Sequence, residues 1–143
     1  MIYTDLTKKA MIIAYYAHNG QLDKGGFPYI FHPFHISEQM ENEYEICVAL
    51  LHDVLEDSDV SLEDLKRHGF PEAVTDALEL LTKEKECSYL DYILKICKNP
   101  LSKKVKCADL RHNLDLSRLY DVTDIDLKRN QKYKQALEIL EKE

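Results

Sequence analysis

The sequence predicts an all-α fold, a single helical bundle of seven to eight helices, on three observations. Apolar residues recur every three to four positions along most of the chain. No segment alternates apolar and polar residues with a period of two, so no strand is expected. Capping residues, prolines and glycines fall at helix-length intervals. The 143 residues suit one compact domain, 1–143.

Composition narrows the function classes. Apolar residues make up 45% of the chain and charged residues 31%, enough for both a sizeable core and a hydrated surface. No apolar run approaches 18 residues, so no membrane span is expected. The start, Met1 to Asp5, lacks the basic and apolar regions of a signal peptide. Cys47, Cys87, Cys97 and Cys107 form no CxxC pair and sit in apolar helical contexts, which suits free thiols in a reducing cytoplasm. A net charge of −7 argues against a nucleic-acid partner. It leaves room for a phosphorylated small molecule where metal and a few cations gather at one site.

The elements follow in order. Residues 5–19 read as a helix capped by Thr4 or Asp5, with Leu6, Ala10, Ile13, Ala14 and Ala17 at helical spacing and His18-Asn19-Gly20 at its end. Gln21 to Phe31 is a glycine-bearing loop. Gly25-Gly26 permit close approach of backbone to a ligand, but the Gly-Lys-Ser/Thr ending of a P-loop is missing. His32-Pro33 stands at the mouth of the next helix, 33–43, where proline stiffens the backbone that aims His32. His35 reads as a surface or packing residue.

The helix over 44–57 carries Ala49-Leu50-Leu51-His52-Asp53-Val54-Leu55-Glu56-Asp57. Its first half, with Ile46, Ala49 and Leu50, is apolar almost all round, the mark of a buried helix. At about 100° per residue, His52 and Glu56 lie roughly 40° apart, with Asp53 and Asp57 on the same side. Carboxylates at the end of a buried helix must be hydrated, paired or bound to metal.

Ser58 to Val60 is a turn. Ser61 to Asp64 is a capped helix start, and that helix stops at Gly69 beside His68. Pro71 opens a helix to Thr82 with Val74, Ala77, Leu78 and Leu81 inward. Lys83 to Cys87 is a charged connector. Ser88 caps a helix over 89–98 with Leu90, Ile93, Leu94 and Cys97 inward. Pro100 opens a long helix over 101–120. Lys104, Arg111, Asp115 and Arg118 form its solvated stripe; Lys106, Asp109 and Asn113 lie roughly opposite, flanked by Val105, Leu116 and Tyr120. An acid and an amide one turn apart on an inward face are not ordinary core chemistry. The last helix, 123–141, has Ile125, Leu127, Ala136, Leu137 and Leu140 as its apolar members and is expected to pack over the outside.

His32, His52, Asp53 and Asp109 together make a mixed nitrogen and oxygen donor set. It suits manganese, iron or zinc better than magnesium and leaves positions open for water and a phosphate oxygen. Lys106 and Lys24 are the nearest cations for phosphate charge. Glu56, one turn from His52, is in reach of a water at such an ion and, crowded by other acids, suits the role of base.

Four segments then occur in order: His18 to Gln21, Gly26 to Pro33, Ala49 to Asp57, and Val105 to Leu114 with Ala108-Asp109-Leu110-Arg111-His112-Asn113. This pattern resembles the HD phosphohydrolase superfamily, and within it the RelA/SpoT-type (p)ppGpp hydrolase domain and the stand-alone small alarmone hydrolases. The resemblance runs from about residue 5 to 120, leaving no room for a synthetase domain. It implies one Mn²⁺ ion held by His32, His52, Asp53 and Asp109. It also implies that Glu56 and Asp57 position and deprotonate the attacking water, that Asn113 and Tyr29 lie against the substrate, and that the 21–29 loop holds the nucleotide. The reaction implied removes pyrophosphate from the ribose 3′ position of ppGpp or pppGpp. The chain departs from the family pattern at Leu22-Asp23 and Leu110, where relatives commonly carry basic residues, and at Asp115 and Leu116. Those departures keep two alternatives open: an HD hydrolase of another nucleotide (a nucleoside monophosphate, NADPH or a cyclic nucleotide), and a non-catalytic alarmone-binding domain.

Overall fold

At the centre lies α3 (Glu43–Leu51), whose residues Ile46 to Leu51 are each at most 1% exposed. A helix apolar on every face needs neighbours on every face. They are α1 (Asp5–Ala17), α2 (Phe31–Glu38), α6 (Glu72–Leu81) and α8 (Pro100–Leu114). The computed structural model describes residues 1–142. Glu143, last of the expected domain, lies outside the described residues. Among the described residues there are nine α-helices, no strand, and no helix long and apolar enough to cross a membrane.

The all-α expectation holds, with one helix more than expected because the 44–57 helix is interrupted. It divides into α3 and the four-residue α4 (Val54–Asp57), with His52-Asp53 at the break. The 33–43 helix is also shifted: α2 starts at Phe31 and stops at Glu38. Pro33 is tolerated in its first turn, where amide hydrogens have no helical acceptor. Asn42 must be extended to cap α3, accepting from the Glu45 N–H at 2.9 Å, so no helix continues through it.

The capped starts are as expected. Thr4 and Thr7 form a capping box on α1, Ser61 and Asp64 form one on α5 (Leu62–Arg67), and Ser88 caps α7 (Tyr89–Ile96). The inward face of α7 differs from expectation. Ile93 is buried, but its companions are Tyr92 and Ile96, while Leu90 and Leu94 are exposed. The Tyr92 hydroxyl donates to the Leu81 carbonyl at 2.7 Å, a long-range partner that turns the helix.

The long helix α8 ends at Leu114 rather than 120. The Asp115 carboxylate accepts from the Ser117 N–H and hydroxyl at 3.0 and 2.6 Å, drawing the chain into a 3-10 turn, Leu116–Arg118. Asp115 and Arg118 therefore leave the stripe assigned to them, and Tyr120 is fully outside. The last helix, α9 (Asp124–Lys142), packs on α7 and α8 through Ala136 and Leu140, while Ile125 and Leu127 are exposed.

Lys104 of α8 reaches both carboxylate oxygens of Glu45 on α3 at 2.9 and 3.0 Å. Burial would raise the Glu45 carboxyl, but the bonds from Lys104 and from the Glu41 N–H outweigh it and lower it. A lowered carboxyl stabilises the fold above the unfolded-state value and loses that contribution as pH falls. Lys104→Met is therefore expected to cost about 0.5–1 kcal/mol at pH 7. The cost should shrink below about pH 4.3, as read from urea midpoints at each pH.

Candidate metal centre

The break at His52-Asp53 has a local cause. The His52 Nδ1–H donates to the Ala49 carbonyl at 2.6 Å, the acceptor that an unbroken helix would give to the Asp53 N–H. Asp53 sits at φ −105°, ψ −1°, and the Asp57 N–H closes on the Asp53 carbonyl at 3.0 Å as α4 resumes. The bond from Nδ1 leaves His52 Nε2 facing inward, 2.9 Å from Asp53 Oδ2 and 3.5 Å from Asp109 Oδ1.

His32 comes from the first turn of α2. Its Nε2 is 2.8 Å from Asp109 Oδ1 and 3.9 Å from Asp53 Oδ2. One ligand atom from each of His32, His52, Asp53 and Asp109 falls within 4.8 Å of all the others. The sequence-predicted set is thus brought together from α2, the α3–α4 break and α8.

The surroundings fit a divalent cation. His52 Nε2 is buried and has no aligned hydrogen-bond partner, although two carboxylate oxygens lie beside it. Burial opposes charge on His52, yet Asp53 and Asp109 hold its proton affinity well above the usual imidazole range. For Asp109, burial is overcome by Lys106, His32 and His52, which keep its carboxyl well below the usual range. Burial is likewise overcome at Asp53, by His52, and its carboxyl falls to about 2. Two ionised carboxylates converging on two imidazole nitrogens are a cation's donor set.

A second layer aims these donors. Asp109 accepts from Lys106 Nζ at 2.8 Å and from Asn113 Nδ2 at 3.1 Å, both from α8. The Tyr29 hydroxyl donates to Asp53 Oδ2, and burial with the Asp53 charge pushes its phenol upward, so it remains a donor. Tyr29 is held by its own N–H on the Gln21 carbonyl at 2.9 Å and by the buried His18 ring, 4.9 Å away. His32 Nδ1 meets His112 Nδ1 at 2.7 Å. Burial and the neighbouring His32 push His112 down to about 4, so His112 is neutral at pH 7. With a cation at His32 Nε2, the His32 Nδ1–H would donate to His112, which would hold the ring toward the centre. His112 braces a predicted ligand, a position that the sequence reading left without a role; its signal is its place one turn after Asp109. His35, exposed as expected, packs its ring on His112 at 4.2 Å.

The centre opens into a cleft of about 460 Å³. Glu56 and Asp57 line it, and burial first, then Asp53, raises both carboxyls. Glu56 Oε1 accepts from the Lys83 N–H at 2.7 Å. Lys24, Tyr29, Lys106 and Asn113 also line the cleft, so all the sequence-predicted substrate contacts share it with His32, Asp53 and Asp109. Other lining residues were missed: Arg118 and Leu119 after α8, and Asp126, Arg129, Asn130 and Tyr133 from α9. The last helix forms a wall of the cleft instead of lying outside it.

No family model matches the chain. It is 31% identical over 147 residues to a protein named GTP pyrophosphokinase from Streptomyces coelicolor, covering 94% of this chain and 16% of that one. It is 35% identical over 88 residues to a Vibrio cholerae protein named guanosine-3′,5′-bis(diphosphate) 3′-pyrophosphohydrolase, covering 59% of this chain and 12% of the relative. The chain thus spans less than a fifth of the length of these curated relatives. A solved structure described as a metazoan orthologue of SpoT that hydrolyses ppGpp shares the fold, with a TM-score of 0.78 at 22% identity. That match covers 98% of this chain and 87% of the other.

If the four donors hold one cation, adding a divalent transition metal raises the melting temperature of the wild type. Asp109→Ala is expected to abolish that rise. His112→Ala should keep it but weaken metal affinity about 10–100-fold, measured by metal titration.

Proposed function

Because the chain belongs to the RelA/SpoT family, we propose that it hydrolyses the 3′-pyrophosphate of ppGpp and pppGpp, giving GDP or GTP and pyrophosphate. The observation that carries this reading is the convergence of His32, His52, Asp53 and Asp109 within 4.8 Å, beside a cleft that His32, Asp53 and Asp109 line together with Glu56 and Asp57. We assign the four as ligands of a single Mn²⁺ ion, since two imidazoles and two carboxylates favour a transition metal over magnesium. When bound, such an ion polarises a phosphoryl oxygen and lowers the pKa of nearby water.

The chain's own groups do the rest. Glu56, with its carboxyl raised by burial, takes the proton of the attacking water while the water oxygen bonds to phosphorus and the O3′–P bond breaks, O3′ leaving as the ribose hydroxyl of GDP or GTP with a proton from solvent. Asp57 shares its wall and orients that water. Tyr29 keeps Asp53 ionised and in place. Lys106 neutralises Asp109, and Lys24 and Asn113, which line the same cleft, face the substrate. Retention of both Glu56 and Asp57 favours an enzyme over a non-catalytic alarmone-binding domain. Hydrolysis of another nucleotide is the second reading, favoured by the acid Asp23 in the nucleotide loop. The four free thiols suit a reducing cytoplasm.

Incubating the pure chain with ppGpp and Mn²⁺ is expected to release pyrophosphate and leave GDP; no turnover with any of several transition metals overturns the proposal. Glu56→Gln should lower kcat about 10²–10⁴-fold and leave metal affinity intact. The wild-type rate should fall as pH drops through the raised Glu56 value.

A further inference from the structure

We propose that Arg118, clamped by Asp23, is the specificity-determining residue for the non-reacting end of the substrate: its planar guanidinium is a platform on which the nucleobase stacks. The proposal rests on the nucleotide-hydrolase reading above and adds a residue to it.

The clamp is built from both sides. Arg118 Nη1 donates to Asp23 Oδ2 at 2.7 Å and Nη2 to the His112 carbonyl at 3.5 Å. The other Asp23 oxygen accepts from the Gly25 and Phe27 N–H groups at 2.9 and 3.0 Å, so the loop itself sets the carboxylate. Gly25 lies directly against the turn, where a Cβ would come within 2.4 Å of the Arg118 carbonyl oxygen. No side chain fits there without moving backbone. The loop and the 3-10 turn are therefore joined at one point, 95 residues apart in sequence.

The chemistry of the clamp selects a base over a phosphate. The guanidinium charge is already met by a carboxylate, which weakens it as a hook for an anion. Both Nη groups are engaged and Nε is buried without a partner, so the polar edge is spent, while the side chain stays 27% exposed and lines the cleft. Leu22, Leu116 and Leu119 line the same cleft and give an apolar border. A flat cation beside apolar side chains suits a planar aromatic ring, and the phosphates belong at the His and Asp end.

Calorimetric titration of the full chain with GDP and with inorganic pyrophosphate tests this. Arg118→Lys keeps the charge and loses the plane. It is expected to weaken GDP about five- to tenfold and to leave pyrophosphate within twofold. Asp23→Asn should weaken GDP in the same direction. Equal GDP affinity in wild type and Arg118→Lys overturns the proposal. So does parallel weakening of both ligands, which marks a phosphate contact or a general structural role, and so does a wild type that binds no GDP. Absent ppGpp hydrolysis with GDP discrimination intact sinks the proposed reaction and leaves Arg118 in its role.

Discussion

Two ionised carboxylates, Asp53 and Asp109, aimed at one point inside a helical bundle are the constraint on which the structure depends. An uncompensated buried charge costs several kcal/mol or more. Each carboxylate is therefore given a donor of its own: Lys106 for Asp109 and the Tyr29 hydroxyl for Asp53. What remains faces His32 and His52 and calls for positive charge at the centre. The helix order follows from this demand. α8 supplies Lys106, Asp109 and Asn113 at successive turns of one face, α2 begins early enough to bring His32 in its first turn, and α3 delivers His52.

The interruption of α3 is how neighbouring residues share a centre. In a straight helix, His52 and Asp53 would diverge by about 100°, toward different neighbours. The break brings His52 Nε2 to 2.9 Å from Asp53 Oδ2 instead. A broken helix is tolerated here because α1, α2, α6 and α8 hold the buried segment before it. The short α4 then sends Glu56 and Asp57 into the cleft on a separate axis.

How far this could be read from the sequence depended on where each instruction is stored. Caps at Thr4, Ser61 and Ser88 act within three residues and were legible. The four clustered side chains were named from the sequence too, because the order of their motifs resembles the HD phosphohydrolases. The break at His52 was not, since a helical wheel cannot show a ring competing for the Ala49 carbonyl. The phase of α7 depended on Tyr92 finding the Leu81 carbonyl, and the end of α8 on one Asp115 side chain folding back on Ser117. That last error hid Arg118, which a continued helix would have turned to solvent, and with it the cleft wall made by α9.

The cleft divides its labour along the same line. Its deep end is built from the bundle helices and their break, is rich in acid, and has its buried cation Lys106 bound to Asp109. In a chain of net charge −7, that end meets a polyanion only through a metal ion and cations brought from elsewhere. Those cations are Lys24 and Arg129, from the 21–29 loop and the first half of α9. Both lie outside the packed core, where substitutions cost little stability. The metal end is thus fixed by burial, while the outer end is held by contacts between surface segments, of which the pair of Asp23 and Arg118 is one.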